Sequence, residues 1–171
     1  MSMSETGGRP TVVIGLGNPL MADDGLGLAA VGRLQEAWQL PEGVEVVDGG
    51  TWGMNLLPVI EDAGRVLLVD AITTGAKPGT LHVLERARIP RYLATKISPH
   101  QVDLRDVLAL AELRGTLPAH TVAIGLEPAE VELSNSLTDT LRVRLDDLVV
   151  QIVSQLEAWG LHCSPVEPVH A

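Results

Sequence analysis

Apolar positions along this chain fall in two rhythms. Short unbroken apolar runs alternate with stretches in which apolar residues recur every three or four positions. The runs predict strands: TVVIGLG from Thr11, VEVVD at 44–48, RVLLVDA at 65–71, TLHVLE at 80–85 and TVAIGL at 121–126. The spacing of Leu28, Val31, Leu34 and Trp38 predicts a helix from Asp24 to about Trp38. A second helix is expected over residues 52–62, where Pro58 kinks or shifts it. Ser98, Pro99 and Gln101 read as the start of a third, with an N-cap, a proline at the first position and a capping-box partner. The last helix is expected from about Thr138 to Trp159, with Leu141, Leu145, Leu148, Val149, Ile152, Leu156 and Trp159 as its core stripe. Pro41-Glu42-Gly43 and Lys77-Pro78-Gly79 read as turns.

Strands alternating with helices define an α/β fold: a mainly parallel five-stranded sheet sandwiched between helices, phosphorylase/hydrolase-like. The run 65–71 is apolar nearly throughout, as a strand covered on both faces should be. The link from it to the run at 80–85 is too short for a helical crossover, so that strand is expected to be antiparallel. The expected organisation is a polar disordered tail at 1–10, one domain at 11–160 and a C-terminal tail at 161–171.

Composition narrows the choice. The 171 residues are 46% apolar and only 2% aromatic, so the core must be built from Leu, Val, Ile and Ala. The net charge of −10 argues against a nucleic-acid partner, because such binding depends on neutralising phosphates. No run of 18 apolar residues is present, so no membrane span is expected, and no apolar leader segment is visible. Cys163 is the only cysteine, which excludes an intrachain disulfide and fits a cytoplasmic setting. It reads as a spare thiol in a loose tail rather than a nucleophile.

The candidate chemistry lies in acids at strand ends. Asp23 and Asp24 follow the first strand, Asp48 ends the second and Asp70 ends the third, so three strands deliver acids to one rim. In open α/β sheets that rim is the usual ligand site. Asp23 is expected to cap the following helix. Asp48 serves either a turn or the site. Asp70 follows Val-Leu-Leu-Val, where an acid needs a partner or a task. His100 falls in the first turn of the helix starting near Ser98, where the positive end of the helix favours a neutral ring able to bind metal or act as a base. Asp24, Asp70 and His100 together would suit a divalent ion such as Ni²⁺ or Zn²⁺. His82, His120, His162 and His170 carry no such signal.

Other sites are excluded. There is no H-E-x-x-H and no G-x-S-x-G. Gly15-x-Gly17 is followed by Leu20 where a dinucleotide fingerprint needs its third glycine, and no P-loop lysine is present.

Four blocks, GLGNPLMADDGLG, VVDGGTWGMNLL, LLVDAI and KISPHQVDLRDVL, with a weaker fifth, IGLEPAEVELSNSLT, resemble the hydrogenase maturation endopeptidases. In order and spacing they span roughly residues 12–160. The resemblance implies an endopeptidase that removes the C-terminal extension of the nickel–iron hydrogenase large-subunit precursor after nickel insertion. It implies Asp24, Asp70 and His100 as the metal-contacting trio, with Asp24 and Asp70 also as candidate catalytic, aspartyl-protease-like groups. Nickel would arrive in the substrate rather than stay bound to the enzyme. Either the ion polarises the scissile carbonyl, or it only docks the substrate while the acid pair handles the proton. The family often has Gln where Glu127 stands. The alternative is a non-catalytic adaptor that recognises the nickel site.

Overall fold

The computed structural model describes residues 7–50, 52–91 and 104–168. Four strands lie parallel: β1 (Thr11–Leu16), β3 (Val44–Gly50), β4 (Arg65–Ala71) and β6 (His120–Leu126). β5 (Leu81–Glu85) runs antiparallel to β6 at one edge, as the short link before it required. The sheet order is β3-β1-β4-β6-β5.

Alternation along the strands divides the core between two faces. Val13, Leu67, Val69 and Ile124 pack on one side against α1 (Leu26–Ala37) and α5 (Leu145–Ala158). Val12, Ile14, Val66 and Leu68 pack on the other against α2 (Leu56–Asp62) and α3 (Leu104–Leu113). All eight of these strand residues are essentially inaccessible to solvent, so the sheet is covered on both sides.

One local expectation is sharpened and two need correction. The second helix begins late, at Leu56, so Pro58 shifts it: the proline lies in the first turn of α2, where a missing N–H costs little, and a 3₁₀ turn at Gly53–Asn55 precedes it. The last helix is broken. α4 (Asp139–Arg142) and α5 are separated at Val143 and Arg144, and Arg144 N–H tightens the join by bonding to the Leu141 carbonyl at 3.1 Å. Trp38 leaves α1 and enters β2 (Trp38–Gln39), which pairs antiparallel with β7 (Ser164–Pro165).

That small pair fastens the segment read as a loose tail. Val166 N–H also reaches the Ala37 carbonyl at 2.9 Å, and Cys163 is 3% exposed within the α1/α5 core. The other end is partly fastened as well. Residues 1–6 lie outside the described residues, whereas the Pro10 carbonyl accepts a 2.8 Å hydrogen bond from Gly64 N–H. Among the described residues no helix is long and apolar enough to cross a membrane.

Candidate functional site

β1 is followed by α1 on one face and leads to β3, while α2 on the opposite face leads back to β4 on the other side of β1. This reversal makes the carboxyl ends of β1 and β4 the switch point of the sheet, where a crevice opens between loops that diverge. Asp24 lies in the 3₁₀ turn Ala22–Gly25 just after β1, and Asp70 is the penultimate residue of β4. The two carboxylates therefore flank the switch point.

Gly17 joins them. Its φ is 107°, and a Cβ there would sit 1.8 Å from the Asp24 carbonyl oxygen and 3.4 Å from Asp70 Oδ1. Only glycine allows the first loop to pass this close to both acids. Ala22, beside them, holds φ 49°, a left-handed conformation that costs an ordinary residue energy and is found where a site demands it.

Both acids are more buried than residues on an open rim: Asp24 is 9% and Asp70 6% exposed. Burial pushes the Asp24 carboxyl above its ordinary value, and the Asn18 N–H donated to Oδ2 at 2.9 Å offsets this only in part. Asp70 Oδ1 accepts the N–H of Ala71 at 2.8 Å. Val66 and Leu68 belong to the α2/α3 core, so Asp70, two residues further on, projects to that same face. His100 lies outside the described residues, four positions before α3 begins at Leu104. Among the described residues no three potential ligands converge on a metal position.

Asp23 is not the helix cap its position suggested. The turn it belongs to has no side-chain cap, and Asp23 is fully buried. Its Oδ2 accepts the N–H groups of Ala129 and Glu130 at 2.8 and 3.1 Å, and Oδ1 accepts the N–H of Thr138 at 2.8 Å. The Thr138 hydroxyl adds bonds of 2.9 and 3.0 Å. Asp23 thus clasps the loop after β6 onto the loop after β1. Backbone bonds between Ala22 and Ser134 and between Asp23 and Glu130 complete the join. A cavity of about 350 Å³ opens along this seam, lined by Ser134, Ser136, Thr138 and Arg142 among others. Asp48 is exposed on β3, opposite Gly15, at a bulge that shifts the next pair to Leu16 and Gly50.

One polar network escaped the sequence reading. Glu127, 4% exposed just after β6, accepts the Thr74 N–H at 2.9 and 3.1 Å, the Gly75 N–H at 3.0 Å and the Thr74 hydroxyl at 3.2 Å. His82 Nε2 meets it at 2.8 Å, so His82 is not the bland strand residue its alternation implied. Burial alone would raise the Glu127 carboxyl, but the donors from Thr74, His82 and Gly75 outweigh it and hold the group below its ordinary value. The available signal was the one used for Asp70: an acid directly after an apolar run. The Thr74 hydroxyl and Glu127 both address the same ring nitrogen, so the trio is not a relay that passes a proton across the imidazole. Cys163 is no nucleophile candidate either, since burial, reinforced by the charge of Glu157, pushes its thiol up.

A doubly covered, mainly parallel α/β sheet with two buried carboxylates at its switch point places the chain among open-sheet α/β domains whose ligand crevice lies beyond the carboxyl ends of the strands. Comparison with known proteins makes it specific: residues 28–155 match the family model described as hydrogenase maturation protease, and the chain belongs to that family. It is 33% identical over 160 residues to the hydrogenase 2 maturation protease of Escherichia coli, covering 93% of this chain and 98% of that one. It is 38% identical over 152 residues to the hydrogenase expression/formation protein HupD of Rhodobacter capsulatus, covering 88% and 72% of the two chains. The solved structure of the E. coli hydrogenase maturating endopeptidase HybD matches with a TM-score of 0.84 and 32% identity over 91% of this chain and 97% of that one. The protein is a peptidase of hydrogenase maturation.

Proposed function

We propose that this peptidase removes the C-terminal extension of a nickel–iron hydrogenase large-subunit precursor after nickel insertion, and that the ion held by the precursor is its recognition element. The observation that carries the reading is the pair Asp24 and Asp70. The two acids come from separate chain segments that flank the switch point, and Gly17 lies against the backbone of Asp24 and the carboxylate of Asp70. Oxygen donors of this kind suit a borderline divalent cation. His100, on the segment leading into α3, is the third ligand in this reading.

The donor set also argues for a visiting ion. The acids come from separate elements, a turn after β1 and the end of β4, and no i, i+4 ligand pair pre-forms a tight site. Two oxygens and one imidazole add to an ion already gripped by substrate cysteines more readily than they capture a free one. In the cut itself Asp24 is a candidate proton carrier: it stands at the crevice, and burial pushes its carboxyl above the ordinary value.

The test uses precursor made with and without nickel, together with elemental analysis of the isolated enzyme. Cleavage of the loaded precursor alone, by an enzyme nearly free of metal, is the expected result. Equal cleavage of both, or stoichiometric metal in the enzyme, overturns nickel as the recognition element. A precursor that binds and shifts in mobility without being shortened would favour the adaptor reading.

A further inference from the structure

Asp70 on β4, Gly125 on β6 and His82 on β5 are register partners and form one row across three strands. Row partners project to the same face of a sheet. The middle position must be glycine, because a Cβ on Gly125 would lie 1.8 Å from the Asp70 carbonyl oxygen. Immediately beyond the row stands Glu127, whose backbone is tied to Gly79 and Thr80 and whose carboxylate grips Thr74, Gly75 and His82. The gripped turn begins only four residues after Asp70. One nearly inaccessible carboxylate therefore fixes the loop leaving Asp70 and the far end of the row that contains it.

We propose that Glu127 is a positioning residue for Asp70: by holding the Thr74–Gly75 turn and His82, it keeps the Asp70 carboxyl in a single orientation at the crevice. The role rests on the reading of Asp70 as a ligating or reacting group. It has a chemical corollary. A carboxylate only accepts, so Nε2 of His82 carries the ring proton. With Glu127→Gln, the amide oxygen still serves the two backbone N–H groups while the amide nitrogen faces His82. The ring then moves its proton to Nδ1, and the turn is kept. Glu127→Ala strands the donors and releases the turn.

Wild type, Glu127→Ala and Glu127→Gln are compared by NMR and by processing of nickel-loaded precursor. In Glu127→Ala the Thr74 and Gly75 amides exchange at least about tenfold faster, as loss of a charge-assisted bond produces. The Asp70 carboxyl-carbon resonance moves, and kcat falls by about tenfold at unchanged KM. Glu127→Gln restores all three while the His82 ring-nitrogen pattern reverses. Should Glu127→Ala fail to fold, His82→Ala removes only the ring's contacts with Glu127 and the Thr74 hydroxyl and gives the same shifts on a smaller scale. An Asp70 resonance unmoved in either alanine variant overturns the positioning role. Failure of wild type to cut the loaded precursor overturns the function above, and the resonance then decides the role of Glu127 by itself.

Discussion

Asp23 and Asp24 are neighbours in the chain and divide two tasks between them. Asp23 is fully buried and saturated by donors from 129–138, whereas Asp24 takes one backbone donor and stands at the crevice with its carboxyl pushed upward by burial. On the proposed function, structure and chemistry fall to adjacent carboxylates.

Asp24→Asn separates function from stability. The amide keeps an acceptor for Asn18 N–H and removes a partly desolvated charge. A carboxyl whose folded pKa is raised contributes stability that is present below its unfolded pKa and lost as pH rises through the folded value, so the wild type is at a disadvantage at neutral pH. Processing should fall by at least about a hundredfold, the size of a lost proton-transfer group, while the melting temperature at pH 7 stays level or rises. Cleavage assays and thermal scans at pH 7 and pH 4 check both. Asp70→Asn should lose processing equally.

Asp23→Ala should do the reverse. It leaves the N–H groups of Ala129, Glu130 and Thr138 without their acceptor in a buried seam. The cost is about 3 kcal/mol, or roughly 10 °C in melting temperature for a chain of this size. Processing should be retained at low temperature and lost on mild warming. Denaturant titration gives the stability; a variant as stable as wild type would show that the clasp is redundant.

Gly17→Ala tests the geometry between the acids. Its Cβ would meet the Asp24 carbonyl at 1.8 Å in a backbone conformation disfavoured for alanine. The first loop must move, so activity should fall below one-tenth even where circular dichroism shows the sheet intact.

Much of this was legible in advance, and the failures have causes. The position of Asp24 and Asp70 at the sheet's rim was legible because strand ends in an alternating pattern announce that rim. Arg65–Ala71 matched its run to the residue because a strand buried on both faces has a continuous apolar centre, Val66 to Val69, with polar residues only near its ends. The partners of Asp23 lie more than one hundred positions away, and no local spacing encodes them. His82 was invisible for the same reason: its meaning comes from Glu127, brought alongside by antiparallel pairing. The two-residue strands β2 and β7 are too short to carry a period.

Stability should fall on acidification through Glu127. Its folded pKa is depressed, so its contribution is present above the unfolded value near 4.5 and disappears as pH falls through the folded one. Urea unfolding between pH 7 and pH 3 should show the loss, and Glu127→Gln should flatten that part of the curve.

Cys163→Ser should leave processing unchanged. In the native protein the buried thiol should react with a soluble disulfide reagent only at the rate of local opening, and fully once urea is added. Fast labelling under native conditions would contradict its burial in the α1/α5 core.

The place of β1 has a temporal consequence. Of the five strands of the sheet, the one synthesised before the others lies inside it, between β3 and β4. Its β3 edge finds a partner early, but its other edge waits for Arg65–Ala71, and β4 in turn waits for His120–Leu126. A nascent chain halted before β6 therefore exposes an unsatisfied parallel edge. Such non-local pairing is intrinsically slow and exposed to aggregation. Yield in the cell should consequently depend more on holding that half-built intermediate apart from its copies than on the stability of the finished domain.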